Sequence, residues 1–114
     1  MSDYYPNSFS DLELRVYKAL LAAGWPPDQI ESQVPVAGGR SVKGGLVVDF
    51  VLYTPLPIPI VVNGEYWHRN DDTELLELIK VQDAYGQEPK VIWGDDAETD
   101  EEARATVLRL IGRR

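Results

Sequence analysis

The sequence predicts an α/β domain in which a mixed β-sheet is flanked by helices, with the element order α-β-β-β-α-β-α. Three observations predict it: a capped amphipathic helix comes first, three strand-like runs follow in succession, and a helix, a strand and a last helix complete the chain. The consecutive strands argue against a simple doubly wound sheet. The 114 residues correspond to one domain, which we place at residues 10–114 after a loose arm at residues 1–9.

The first helix has clear boundary signals. Ser10 is in position to cap it, and Glu13 follows three residues later, which is the capping-box pattern. Leucines and valines then recur at helical spacing and form one apolar stripe. Gly24 is a natural stop, and the prolines at 26–27 prevent the helix from continuing.

Residues 32–52 have the pattern of a β-hairpin with a Gly-rich, basic connection at residues 37–45. The run from Leu46 to Leu52 is a strong strand signal because it is rich in β-branched and aromatic residues. Side chains alternate along a strand, so Phe50 is expected on one face of the sheet and Asp49 on the other.

A Pro-rich segment at residues 54–59 is expected to be a connection, because Pro supplies no N–H to a ladder. Residues 60–62 then resume as a strand that ends at Asn63-Gly64, and a further strand is expected at residues 90–93. A second helix is expected over residues 73–85. Its predicted inward side chains are Leu75, Leu76, Leu78, Ile79 and Val81.

The last helix follows an acidic stretch at residues 95–102. Thr99 and Glu102 form a second capping-box pattern at its start. The many acids at this position are typical of a solvated helix start. If the chain binds DNA, this surface is expected to face away from it.

Charge and composition narrow the classes of function. The chain has 11 Lys+Arg against 19 Asp+Glu, a formal charge of −8, which argues against a general nucleic-acid coat. A nuclease is compatible with this charge because its metal site itself needs carboxylates. Without Cys, disulfide frameworks and Cys-ligated zinc are excluded. The apolar runs are strand-length and the N-terminus lacks a signal pattern, so we expect a soluble cytoplasmic protein with no membrane association.

Two residues are the main candidates for chemistry. Asp49 lies in the middle of the most apolar run, where a carboxylate is costly unless it is hydrogen-bonded, paired or bound to a metal; the alternative is an edge position facing solvent. His68, the single histidine, follows a strand end and two aromatic residues. A neutral imidazole there is able to take a proton from water, whereas a lone His is also commonly structural.

Further charged residues each have a plain structural alternative. Glu13 is explained by the capping box, and Asp71 and Asp72 by the favourable placement of acids at a helix start. The basic residues near the predicted site are solvated loop charges or, together with the loop glycines, a cradle for a phosphate backbone. They are Arg40, Lys43 and Arg69.

Two stretches, Val48-Asp49-Phe50-Val51 and the run from Val61-Val62-Asn63-Gly64 to Glu65-Tyr66-Trp67-His68, resemble the core of very short patch repair (Vsr-like) endonucleases. They are also similar to homing endonucleases with an E-D-x-H-D active site, within the PD-(D/E)XK, restriction-endonuclease-like superfamily. Leu12-Glu13-Leu14 matches the helix element and Val91-Ile92-Trp93 the late strand. The resemblance covers roughly residues 10 to 94.

The resemblance implies a restriction-endonuclease-like fold and a Mg²⁺-dependent (or Mn²⁺-dependent) DNA endonuclease. It assigns Asp49 and the backbone carbonyl of Val62 as metal ligands, with Glu13 holding a metal-bound water or orienting the site. It makes His68 the general base on the attacking water. The final acid of the motif is expected about three helical turns before a Gly, a position that falls on Leu75 when counted from Gly86.

Asp72, one helical turn earlier on the same face, is the assigned substitute for that final acid, with Asp71 as the second choice. The implied DNA-binding residues are Arg40, Lys43 and Arg69. The chain departs from the common PD-(D/E)XK pattern because the strand at 61–62 has no acid and no Lys follows. The zinc-binding cysteines of the repair enzymes are absent too, so no structural zinc is expected.

Three functions therefore stay open from the sequence. One is a small homing or phage-type DNA endonuclease, for which a homodimer is a reasonable arrangement because cutting both strands at once needs two sites. The second is a catalytically inactive nuclease-fold module that binds protein or DNA in an assembly. The third is a structural α/β domain with accidental motif similarity, which leaves a buried Asp49 unexplained.

Overall fold

A computed structural model of the chain describes residues 9–39, 45–54, 56–64 and 72–114. Its elements are α1 (Asp11–Ala22), β1 (Ile30–Val36), β2 (Leu46–Tyr53), β3 (Pro57–Asn63), α2 (Asp72–Tyr85), β4 (Lys90–Trp93) and α3 (Asp100–Leu110). The predicted order α-β-β-β-α-β-α is confirmed. Within the described ranges, every helix is too short or too polar to cross a membrane.

The four strands form one mixed sheet in the order β1-β2-β3-β4. The β1–β2 and β2–β3 pairs are antiparallel, whereas β4 joins β3 in parallel. A parallel neighbour requires a crossover connection, and α2 provides it between β3 and β4. The sheet is therefore an antiparallel meander extended by one β-α-β unit.

Alternation along β2 divides the core between the two faces of the sheet. Phe50 and Leu52 belong to the larger apolar cluster, which includes residues of α1 and α3 such as Leu20 and Val107. Val51 belongs to a smaller cluster with Val81 of α2, and Val48 belongs to that cluster too. The alternation therefore holds from Phe50 to Leu52 but not at Val48. In the described part of the chain, helices α1 and α3 thus cover one face together, while α2 is the one helix on the other.

The Pro-rich segment differs from the expectation, because β3 begins at Pro57 and is an interior strand. Pro59 is fully buried and pairs with Val51, while β4 pairs with β3 only from Ile60 onward. The prolines therefore occupy the part of β3 that has one neighbouring strand. A missing N–H is tolerated there, and the Pro57 carbonyl accepts a hydrogen bond from Gln87 Nε2.

The prediction of the inward side chains of α2 also included too many residues. Val81 is fully buried, but Leu75, Leu76 and Ile79 are each more than half exposed. The sequence period alone does not show that α2 packs on the sheet with no second described helix beside it. Its leucines therefore occupy both the inward and the outward sides.

Both predicted caps are present, with one difference. Ser10 Oγ accepts the Glu13 N–H and Glu13 Oε1 accepts the Ser10 N–H, which completes the box at α1. At α3, Thr99 Oγ1 accepts the Glu102 N–H, but Glu102 Oε1 accepts the N–H of Glu98. The Glu102 side chain therefore bonds to the residue before the N-cap instead of to the N-cap Thr99 itself.

Candidate functional site

Asp49 lies where β2 and β3 separate. The last paired residues of these strands on this side are Phe50 and Ile60, beyond which β3 continues to Asn63 alongside β4. Asp49 is only 7% exposed, and its Oδ2 accepts the backbone N–H of Val62 at 2.7 Å. The carboxylate thus takes the place of a ladder partner for β3, in a short charge-assisted hydrogen bond.

The ladder on the other side of Asp49 is interrupted as well. Ser32 pairs with Phe50 and Val34 pairs with Val48, but the intervening Gln33 makes no ladder pair with Asp49. Gln33 has φ 55, a left-handed conformation that costs a non-Gly residue about 1–2 kcal/mol. Such strained positions cluster at functional sites, so the interruption on both sides singles out Asp49.

The first turn of α1 approaches this point through a close contact with two glycines. Cδ2 of Leu12 lies 3.6 Å from where a Cβ would sit at Gly64 and likewise at Gly94. A Cβ on Gly94 would come within 3.2 Å of Gly64 Cα. The absence of side chains at these strand ends therefore lets α1 approach the sheet, and this contact places Glu13 beside the Asp49 cleft.

The cleft has a volume of about 460 Å³ and combines acidic and apolar walls. Glu13, Asp49 and Glu77 contribute its carboxylates, and Asn63 adds an amide. No Lys or Arg is among the described residues that line it. The apolar lining comes from Leu46, Val47, Val61, Val62, Leu78 and Val81.

Glu77 was not identified from the sequence. It is four residues before the buried Val81, so it lies beside Val81 on α2, where its exposed side chain lines the cleft. The spacing to Val81 is the signal that would have found it. The expectation had placed the helix acid at Asp72, with which α2 begins; the structure describes the backbone of Asp72 but not its side chain.

The remaining predicted site residues fall outside the described part of the chain. His68, Asp71 and the three basic residues Arg40, Lys43 and Arg69 all lie there. The structure therefore brings Glu13, Asp49 and Val62 to one cleft, whereas the roles that the resemblance implies for them stay predictions. Their relation to His68 stays a prediction.

The metal-binding capacity of this cleft is limited to hard oxygen donors. In residues 9–39, 45–54, 56–64 and 72–114, no three His, Cys, Asp or Glu side chains form a group able to hold a metal ion. Mg²⁺ is commonly bound through one or two carboxylates and keeps several waters. The Asp49 carboxylate fits that requirement, and Glu13 retains a second oxygen beyond the one that caps α1.

Two tyrosines outside the cleft have perturbed acidity. Tyr53 donates its hydroxyl hydrogen bond to Glu31 Oε1 at 2.5 Å, and this bond, with burial and the Glu31 charge, raises the pKa of Tyr53 to about 12. Burial, followed by the charge of Glu31, raises the pKa of Tyr85. Neither tyrosine lines the Asp49 cleft.

Comparison with protein-family models, with curated proteins and with solved structures finds no match to this chain.

Proposed function

We propose that this chain is a Mg²⁺-dependent DNA endonuclease that hydrolyses phosphodiester bonds at the Asp49 cleft. The observation that supports it best is the carboxylate of Asp49, held at a strand separation by the Val62 N–H. Burying a carboxylate is costly unless it is hydrogen-bonded, paired or bound to a metal. The buried Asp49 carboxylate lies at the wall of a cleft, where it is well suited to bind a cation. The cleft is open enough to receive a phosphate group.

Each residue has a role under this proposal. Asp49 supplies a fixed anionic oxygen, and the Val62 N–H holds its carboxylate in one orientation. Glu13 orients a water in the cleft while its other oxygen keeps α1 capped. His68 takes the proton from the attacking water. When bound, Mg²⁺ polarises the phosphate and stabilises the developing negative charge.

A catalytically inactive binding module is the second candidate. Two observations favour it: a Glu13 oxygen is already occupied by the helix cap, and the described cleft lining has three acids without a basic residue. Such a cleft repels a polyanion unless a cation or the basic residues Arg40, Lys43 and Arg69 compensate. The two candidates differ in whether DNA is cleaved.

The experiment is nicking of a supercoiled plasmid with Mg²⁺ or Mn²⁺. We expect the wild type to nick it and Asp49→Asn to lose activity, because the amide keeps the shape but not the charge. His68→Ala should be about 10²–10⁴-fold slower, the usual contribution of a general base. Asp28→Asn is the matched control, since Asp28 is an exposed acid in the turn before β1.

DNA binding by fluorescence anisotropy separates the two candidates. A wild type that binds DNA without nicking it at any metal concentration is the inactive module. Nicking retained by Asp49→Asn would contradict the assigned site, and neither binding nor nicking by a folded wild type would exclude both candidates.

A further inference from the structure

The outward side of α2 has an apolar surface that the Asp49 cleft does not use. Leu75 is 56% exposed, Leu76 58% and Ile79 52%. They lie at positions i, i+1 and i+4, on the side of the helix opposite Val81. We refer to these three residues as the outer α2 face. Apolar surface patches of a few hundred Å² are often functional.

The layering of the fold explains why this face is uncovered. Strands lie about 4.8 Å apart and a helix is about 10 Å wide, so a four-stranded sheet has room for two helices on each face. Helices α1 and α3 fill one face, whereas α2 lies on the other and packs mainly against β1 and β3. Among the residues that the structure describes, no helix lies over the β4 part of that face.

A groove marks this vacant position. Its volume is about 190 Å³, and it runs from α2 to the start of β4. Leu75 and Ile79 form one wall, and Pro89 and Val91 form the other. The outer α2 face is thus continuous with an apolar strip on the sheet, which is the shape that receives the apolar side of a helix.

The charges around the outer α2 face indicate which kind of partner it would bind. Asp83 follows Ile79 by four residues and therefore lies next to the outer α2 face. Glu88 lines the groove, and Lys80 is the single basic residue of α2. A second copy of the chain would bring an equally acidic helix, and like charges facing each other weaken association. A partner with Lys or Arg beside its apolar stripe is complementary to this rim.

The area of the outer α2 face indicates the size of the partner. The three side chains expose on the order of 300 Å², well below the roughly 800 Å² per partner of a standard interface. A single helical segment matches this area better than a globular partner. We propose that the outer α2 face binds a basic amphipathic helix of a partner protein. This proposal does not depend on nuclease activity.

The probe for the test is a synthetic helical peptide of about 14 residues with Leu at i, i+3, i+4 and i+7 and Lys elsewhere. Fluorescence anisotropy at low salt should give a Kd on the order of tens of micromolar. Amide chemical shifts should change in α2 and β4. A scrambled peptide of the same composition, with no apolar stripe, should bind at least about tenfold more weakly, because it cannot bury its leucines together.

Ile79→Asp should weaken binding of the striped peptide at least about tenfold, because it removes one buried anchor. Leu108→Asp is the matched control: Leu108 is an exposed leucine of α3, and its replacement should leave the Kd unchanged. Since both positions face solvent, the variants should remain folded, which circular dichroism verifies.

Three results would overturn the proposal: equal binding of the two peptides, an unchanged Kd for Ile79→Asp, or no binding at millimolar peptide. A fourth comes from sedimentation velocity of the chain alone. If the wild type is a dimer that Ile79→Asp dissociates, the face is a self-association surface and the basic partner is rejected.

Discussion

Replacing Asp49 by Ala tests whether the hydrogen bond to Val62 holds β3 in place. The variant loses a charge-assisted bond and leaves the Val62 N–H without that acceptor. Hydrogen bonds to charged groups contribute about 1.5–3 kcal/mol, and release of the costly buried carboxylate offsets part of this. We therefore expect the free energy of unfolding to fall by about 1–2 kcal/mol, which lowers the Tm by several degrees in a chain of this size.

The assay is urea and thermal unfolding, followed by circular dichroism in buffer without divalent cations. Asp49→Asn keeps a carbonyl acceptor in the same place, so its loss should be clearly smaller than that of Asp49→Ala. Asp28→Ala removes an exposed acid and should stay within about 0.5 kcal/mol of the wild type. An Asp49→Ala variant more stable than the wild type would refute the reasoning, because burial of the charge would then outweigh its bond.

Two further predictions concern the strand ends. Ala37 has φ 55, so Ala37→Gly should stabilise the fold by up to about 1 kcal/mol. Glycine relieves the strain of the left-handed conformation, and the greater entropy that it gives the unfolded chain offsets part of this gain. The same change at exposed Ala105 within α3 should destabilise it by about 1 kcal/mol; equal signs in chemical denaturation would contradict this. Tyrosinate absorbance, compared with Tyr53→Phe, should show Tyr53 titrating near its pKa of about 12, and Glu31→Gln should return the pKa toward 10.0. Because the folded-state pKa is raised, this contribution to stability is fully present below pH 10 and is lost as the pH rises through 12; an unchanged pKa in Glu31→Gln would contradict the role of the hydrogen bond.

Local signals predicted the elements well. The Ser10–Glu13 pair is a feature of adjacent residues, and the alternation along β2 follows from the two-residue period of a strand. Both are set by the chain within a few positions, so sequence was sufficient to predict α1 and the separation of Phe50 from Val51, whereas Val48 departs from the alternation.

The errors arose where the outcome depends on distant neighbours. Pro57 and Pro59 fit an interior strand because β4 is too short to pair with that part of β3. Leu75 is exposed because, among the described elements, one helix packs on that face of the sheet, and no local pattern indicates how many helices will pack there. Glu77 was missed because its role depends on which strands α2 covers.

The irregular conformation of Gln33 has a consequence for association between molecules. Strand β1 is at an edge of the sheet, where unpaired N–H and C=O groups invite another strand to add. The left-handed Gln33 breaks the regular edge, and Pro35, two residues later, has no N–H to offer an incoming strand. The opposite edge, β4, has only four residues. Both edge strands therefore disfavour the addition of a strand from another molecule, although the meander is rich in Val and Ile.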